Sequence, residues 1–102
     1  MATVRVEYCK VTRSSAITAG GPDNIISEVL AAEDVTVSGT PAGTAANSPA
    51  GTQAVRFTSI GGVAYVNNKT TVSATKGLRL ADAAREVMTM APGKKVSVMT
   101  GA

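Results

Sequence analysis

The sequence predicts an all-β fold: a small antiparallel β-sandwich or barrel of about seven or eight short strands, forming a single β domain over residues 1–102. Three observations predict it. Apolar and polar residues alternate with a period of two, turns rich in Gly and Pro separate these runs, and the apolar residues are mostly Ala and Val. With one Phe, two Tyr and no Trp, the core must be thin, so we expect contacts between subunits to add stability.

The first strand is expected over residues 3–12. Its apolar side chains share one side as far as Tyr8, and Cys9 and Val11 then take the opposite phase. Such a phase change predicts a β-bulge, or a strand buried on both faces. Cys9 is expected to be a buried packing residue rather than a reactive thiol, and a single cysteine cannot form an intrachain disulfide.

Residues 14–19 are expected to continue this region to a turn at residues 20–23. Residues 24–31 fit either a helix, by the spacing of their apolar side chains, or a strand, by their β-branched content, and we favour the strand. A short alternating strand follows at residues 33–38. Residues 39–52 contain only Gly, Pro, Ala, Ser, Thr and Asn, which predicts a long loop or an arm lying on the surface or on a neighbour.

The pattern around Gly61 and Gly62 predicts a tight β-hairpin. Strand-like runs at residues 54–60 and 63–67 flank this pair, and glycine accepts positive φ at both positions of a two-residue turn. After it, residues 70–75 are expected to pair only briefly.

Three more strands are expected near the C-terminus, at residues 78–80, 85–90 and 95–100, although residues 81–90 could instead form a helix by propensity. A turn at residues 91–94, with Pro before Gly, would pair the last two strands.

This pairing would bring Met99 close to Met88 and Met90, which share one strand face. The three methionines either fill gaps in a core that is poor in aromatics or form a subunit contact, where methionine is enriched. Met88, Met90 and Met99 are therefore the candidate subunit-contact residues.

The composition argues against catalysis. Histidine is absent, which removes the commonest general base and metal ligand, and one cysteine without histidine cannot form a structural zinc site. The Gly-Gly pairs are not followed by the Lys-Ser/Thr of a phosphate-binding loop. We therefore expect no enzyme activity, no cofactor and no metal.

Charge is unevenly distributed along the chain. Residues 1–68 hold four basic and five acidic side chains, a balance of −1, whereas residues 69–102 hold six basic and two acidic ones, a balance of +4. A basic C-terminal third would favour an acidic partner surface, although lysines that discourage pairing at strand edges give the same pattern. Neither a signal peptide nor an apolar run of membrane-helix length is recognisable, so a cytosolic site of folding is expected.

Several motifs together resemble one family. They are Ala54-Val55-Arg56-Phe57-Thr58-Ser59, Gly61-Gly62-Val63-Ala64-Tyr65-Val66, Arg85-Glu86-Val87 and the run from Ala91 to Val98. In order and spacing they resemble the small all-β virion structural proteins of tailed bacteriophages, often of the capsid decoration or cement type. The resemblance covers about residues 54–99.

The resemblance implies a protein that self-associates as homo-oligomers, with a homotrimer as the expected form, and binds the lattice of the major capsid protein. It implies a location on the capsid exterior of the virion, synthesis in the bacterial host cytoplasm, and neither a membrane nor a specific nucleic acid as partner. The candidate capsid-contact residues are Thr40, Pro41, Asn47, Pro49, Lys94 and Lys95. The alternative is a carbohydrate- or cell-surface-binding β module of a head or tail fibre.

Overall fold

The computed structural model describes residues 2–13, 24–69 and 77–101, and within these ranges the chain is all-β. Its strands form two antiparallel four-stranded sheets, the first in the order β2-β1-β4-β7 and the second in the order β3-β8-β5-β6. This arrangement confirms the predicted small antiparallel β-sandwich. The strands are β1 (Thr3–Arg13), β2 (Asn24–Thr36), β3 (Ala42–Gly43), β4 (Ala54–Ile60), β5 (Ala64–Asn67), β6 (Leu78–Leu80), β7 (Arg85–Thr89) and β8 (Ser97–Thr100).

Of the two interpretations of the phase change in β1, a strand buried on both faces is the one that describes Tyr8 and Cys9. The pairing of β1 with β2 shifts register between Tyr8 and Cys9, and again between Lys10 and Val11, but each shift skips one residue of β2, so the bulges belong to that strand. The pairing of β1 with β4 runs without a shift. Tyr8 and Cys9 therefore lie on opposite faces of a regular strand, and both are buried, with Cys9 fully inaccessible, as expected for a packing residue.

Residues 24–31 form a strand, as favoured from their β-branched content. They join the expected strand at 33–38 in one continuous β2, which pairs with β1 from end to end. Because β1 is long enough to bond with both segments, no break is needed between them. The expected strand extension at 14–19, the turn at 20–23 and the brief pairing at 70–75 lie outside the described residues.

The hairpin predicted at Gly61 and Gly62 is wrong. β4 belongs to the first sheet and β5 to the second, so this turn connects the sheets. β4 already pairs with β1 on one side and β7 on the other, which leaves no edge for β5. Of the pair Gly61 and Gly62, only Gly61 has a positive φ, of 83°. Its N–H donates to Asp82 Oδ1 at 3.0 Å.

The pairing predicted through the Pro92-Gly93 turn is also wrong. Residues 85–89 form the edge strand β7 of the first sheet, whereas β8 lies between β3 and β5 in the second. Since β8 is bonded on both sides, the turn at Gly93, where φ is 74°, carries the chain from one sheet to the other.

The core lies between the sheets and is built mainly from small side chains. Phe57 and Leu80 are the largest fully buried residues in the described ranges, and eight of the nine others buried to this degree are valine or cysteine. This agrees with the thin core expected from the composition. Stability per residue therefore depends more on ladder pairing and buried hydrogen bonds than on large aromatic contacts.

The long loop, residues 39–52, lies on the body of its own chain. It contributes β3, which pairs with β8, and Thr44 Oγ1 lies 2.9 Å from Tyr8 Oη in a buried hydrogen bond. The backbone N–H of Ala45 donates to Glu33 Oε1 at 2.6 Å. In this structure of a single chain, the loop therefore lies on the surface of its own domain.

Candidate binding groove

A groove of about 700 Å³ opens at one end of the sandwich. Antiparallel pairing brings the start of β4 beside the end of β7 and the start of β8 beside the end of β5, so four separate segments meet there. The groove is lined by Gln53, Asn68, Lys69, Thr89, Met90, Ala91, Lys94 and Lys95. We call it the lysine groove.

Two hydrogen bonds hold its walls. Asn68 Nδ2 donates to the carbonyl oxygen of Thr89 at 2.8 Å, which joins the end of β5 in the second sheet to the end of β7 in the first. The backbone N–H of Met90 donates to the carbonyl oxygen of Gln53 at 3.1 Å and extends the pairing of β7 with β4 within the first sheet. The groove is thus braced by one bond between the sheets and one within the first sheet.

A buried serine from the long loop fixes the turn that carries Lys94. Ser48 is 4% exposed. Its hydroxyl donates to the carbonyl oxygen of Ala91 at 2.7 Å and accepts from the N–H of Lys94 at 3.0 Å. Its backbone N–H donates to the carbonyl oxygen of Lys94 at 2.7 Å, and its carbonyl accepts from Gly93 at 2.9 Å. One residue thus immobilises the turn at residues 91–94.

The groove combines a positive rim with an apolar floor. Lys69, Lys94 and Lys95 are exposed, and within the described residues none of them forms an ion pair. The lining residues in the described part of the chain include no acid, and the floor consists of buried Met90 together with Ala91. Such a surface suits a ligand with negative charge and some apolar area.

Four charged residues on the outer face of the first sheet, by contrast, pair with one another. Glu7 accepts from Arg56 Nε at 2.9 Å and lies 3.8 Å from Arg5, which also pairs with Asp34 at 3.3 Å. The hydrogen bond from Arg56 lowers the pKa of the Glu7 carboxyl, and the same bond raises the pKa of Arg56. These four residues are therefore structural partners of one another.

The three candidate subunit-contact methionines do not form a cluster. Met90 is 7% exposed and belongs to the core between the sheets, and Met88 is partly buried against that core. Met99 lies opposite Tyr65 in the second sheet. The face shared by Met88 and Met90 therefore points inward, and the gap-filling interpretation describes these two residues.

Four of the six candidate capsid-contact residues lie in the groove or beside it. Lys94 and Lys95 line the groove, while Asn47 and Pro49 flank Ser48 and therefore lie beside the same turn. Thr40 and Pro41 precede β3 and are exposed. All six lie at the surface, with Pro49 the only one that is partly buried.

Five residues of the groove were missed by sequence reasoning: Gln53, Asn68, Lys69, Thr89 and Ala91. Each lies at or beside one end of a strand, so only the pairing of distant strands brings them together. The one sequence signal for the groove is the +4 charge balance of residues 69–102, which includes its three lysines.

The described residues form neither a metal site nor a reactive thiol. No group of three or more His, Cys, Asp or Glu side chains in them is placed to hold a metal ion. Burial raises the pKa of the Cys9 thiol, whose Sγ donates to the carbonyl oxygen of Glu7 at 3.4 Å, so this thiol is protonated and shielded. Residues 2–13, 24–69 and 77–101 contain no helix that could cross a membrane.

Comparison of the chain with protein-family models, with curated proteins and with solved structures finds no match in any of the three.

Proposed function

We propose that this protein is a bacteriophage virion structural protein of the capsid decoration type. In this role it associates with copies of itself, as a homotrimer, and binds the lattice of the major capsid protein on the capsid exterior. The observation that carries the proposal is the lysine groove, where Lys94 and Lys95 stand unpaired on a turn fixed by buried Ser48. The motifs of residues 54–99 that resemble decoration proteins support it independently.

A rigid, charged surface suits a protein that must bind many identical sites. Side chains and loops that are ordered before binding lose less conformational entropy in the complex. The long loop is already ordered on the body through Tyr8, Glu33 and Ser48. Charges on the rim would set the orientation of docking and the preference for an acidic partner.

Self-association is supported by the first sheet. β7 is an edge strand of that sheet, and unpaired edges are ready to bond with another chain. Val87 on β7 and Ile60 on β4 are 48% and 51% exposed, and both lie on the outer face of the sheet. Contact between copies at this face would add apolar burial that the thin core lacks.

The proposal is tested by binding to particles. The purified protein is incubated with capsids, stripped of decoration, of the tailed phage that encodes the chain, and then sedimented. We expect saturable co-sedimentation at a fixed ratio to the major capsid protein, and a trimer mass by light scattering in solution. Lys94→Glu with Lys95→Glu should reduce binding, and Lys10→Glu with Arg79→Glu, two exposed basic residues outside the groove, should not.

A monomer in solution that does not sediment with capsids would refute the proposal. If such a monomer instead bound immobilised glycans, the alternative of a carbohydrate-binding β module would replace it.

A further inference from the structure

We infer that the lysine groove binds a short, extended, acidic peptide segment of a partner protein. The carboxylates of the segment pair with Lys69, Lys94 and Lys95, and one of its apolar side chains packs on Met90 and Ala91. This inference rests on the proposed function, because it gives the chemistry by which the capsid protein would be recognised.

The charge of the groove selects an acidic ligand. Three ammonium groups share one concavity, and its lining residues in the described part of the chain include no carboxylate. Arg5 and Arg56 have acidic partners within 4 Å, whereas the other exposed basic side chains outside the groove stand singly on the surface. The groove differs from them because it gathers three cations without an ion pair around one concavity, where an external carboxylate can pair with more than one of them.

The two amide side chains favour a peptide over a simple anion. Gln53 Oε1 accepts from the backbone N–H of Val11 at 3.0 Å, which leaves its NH₂ group to donate. Asn68 uses its NH₂ group on Thr89, which leaves its Oδ1 to accept. The groove thus offers one donor and one acceptor as well as cations, and a peptide backbone carries both complementary groups.

The floor of the groove distinguishes this ligand from a nucleic acid. Met90 and Ala91 form an apolar base, and methionine adapts readily to different apolar partners. A single-stranded nucleic acid is usually held by aromatic side chains that stack on its bases, and the groove has none of these among the described residues. A volume of about 700 Å³ also lies in the range of pockets that enclose a compact ligand rather than a duplex surface.

The test uses the full-length protein and a fluorescein-labelled heptapeptide of alternating glutamate and leucine. Binding is followed by fluorescence anisotropy at low and physiological salt, and the site is mapped by amide chemical shifts of the ¹⁵N-labelled protein. The matched peptide has glutamine in place of glutamate. A heparin hexasaccharide and a twelve-residue oligothymidylate represent sulfated glycans and nucleic acid.

Two triple variants test whether binding depends on the groove lysines or on the net charge of the protein. Lys69→Gln, Lys94→Gln and Lys95→Gln together remove three charges from the groove, while Lys10→Gln, Arg79→Gln and Arg85→Gln remove three exposed charges elsewhere. We expect the first triple variant to lose affinity for the acidic peptide by about tenfold or more and the second by less than about threefold. Ala91→Glu, at an exposed position, should weaken binding as the first triple variant does.

Shift changes should concentrate at Asn68, Lys69 and residues 89–95, and affinity should fall as salt is raised. Equal loss in both triple variants, or tighter binding of the glutamine peptide, the hexasaccharide or the oligonucleotide, would overturn the inference. If the groove triple variant still binds capsids, the inference is overturned and the proposed function stands. Peptide binding without any capsid binding would refute the proposed function alone.

Discussion

The buried hydrogen bond between Tyr8 and Thr44 anchors the long loop to the folded body. Thr44 is 3% exposed, and its hydroxyl lies 2.9 Å from Tyr8 Oη. Tyr8→Phe removes one hydroxyl and leaves the other buried without a partner. An orphaned buried hydroxyl costs about 1–3 kcal/mol, so we expect the free energy of unfolding to fall by about 1–2 kcal/mol.

For a domain of this size, that loss lowers the melting temperature by about 5–15 °C. It is measured by circular dichroism in urea and on heating, at one protein concentration, since self-association would shift the midpoint. Tyr65→Phe is the control, because the Tyr65 side chain is half-buried and its hydroxyl makes no hydrogen bond among the described residues. Its free energy of unfolding should stay within about 0.5 kcal/mol of the unmodified protein.

A double-mutant cycle makes the test specific. Thr44→Val alone should cost about as much as Tyr8→Phe, whereas the double variant should recover about 1–2 kcal/mol relative to the sum, because both polar atoms are then gone. Burial also raises the pKa of Tyr8. Its stabilising contribution is present below the ordinary value of 10.0 and is lost as the pH rises through the higher folded value, and Tyr8→Phe should abolish that alkaline loss. Additive effects, or a Tyr8→Phe variant as stable as the unmodified protein, would show that the loop is not anchored here.

Three further predictions concern local stability, each measured by urea unfolding. Ser97→Ala removes a buried hydroxyl that has no partner and should be neutral or stabilising by up to about 1 kcal/mol, whereas Ser59→Ala, which breaks the bond to the Gly62 carbonyl, should cost about 1 kcal/mol. Glu7→Gln should cost about 0.5–1 kcal/mol at pH 7. Because the pKa of Glu7 is lowered on folding, its contribution is lost as the pH falls below 4.5, where variant and unmodified protein should converge. Gly51→Ala should cost about 1–2 kcal/mol, since φ is +88° and the new Cβ would lie 3.0 Å from Lys10 Cε, whereas Gly39→Ala, with open space around it, should stabilise by about 0.5 kcal/mol.

The strands themselves were accessible from the sequence because alternation is a local property. A side chain points to the core or away from it according to its place in the strand, and the apolar side chains in both phases of β1 therefore allowed a strand buried on both faces, which describes Tyr8 and Cys9. The bulges in β2 follow from its pairing with β1 and left no signal in the alternation of β1. The same reasoning resolved residues 24–31, where β-branched side chains outweighed a helical spacing.

Pairing partners were not accessible, because turn chemistry fixes how a chain bends but not which strand it meets next. Gly61 supplies the positive φ that a hairpin would use, yet β4 is already bonded on both sides. The same holds for Gly93 and β8. Both wrong pairings therefore have the same cause. The pairing predicted through the Pro92-Gly93 turn also placed Met99 beside Met88 and Met90, although Met99 lies in the second sheet and Met88 in the first.

The long loop and the lysine groove are one unit rather than two. The loop has no large apolar side chain with which to anchor itself, and its composition therefore suggested an arm as readily as a surface loop. Its anchors are hydroxyls: Thr44 bonds to Tyr8 in the body, and Ser48 bonds to the turn that carries Lys94. Because the Ser48 hydroxyl both donates and accepts within that turn, an arm that left the body would release the lysines as well. A docking surface built this way needs its loop closed, so partner binding through the groove favours the ordered loop over a detached arm.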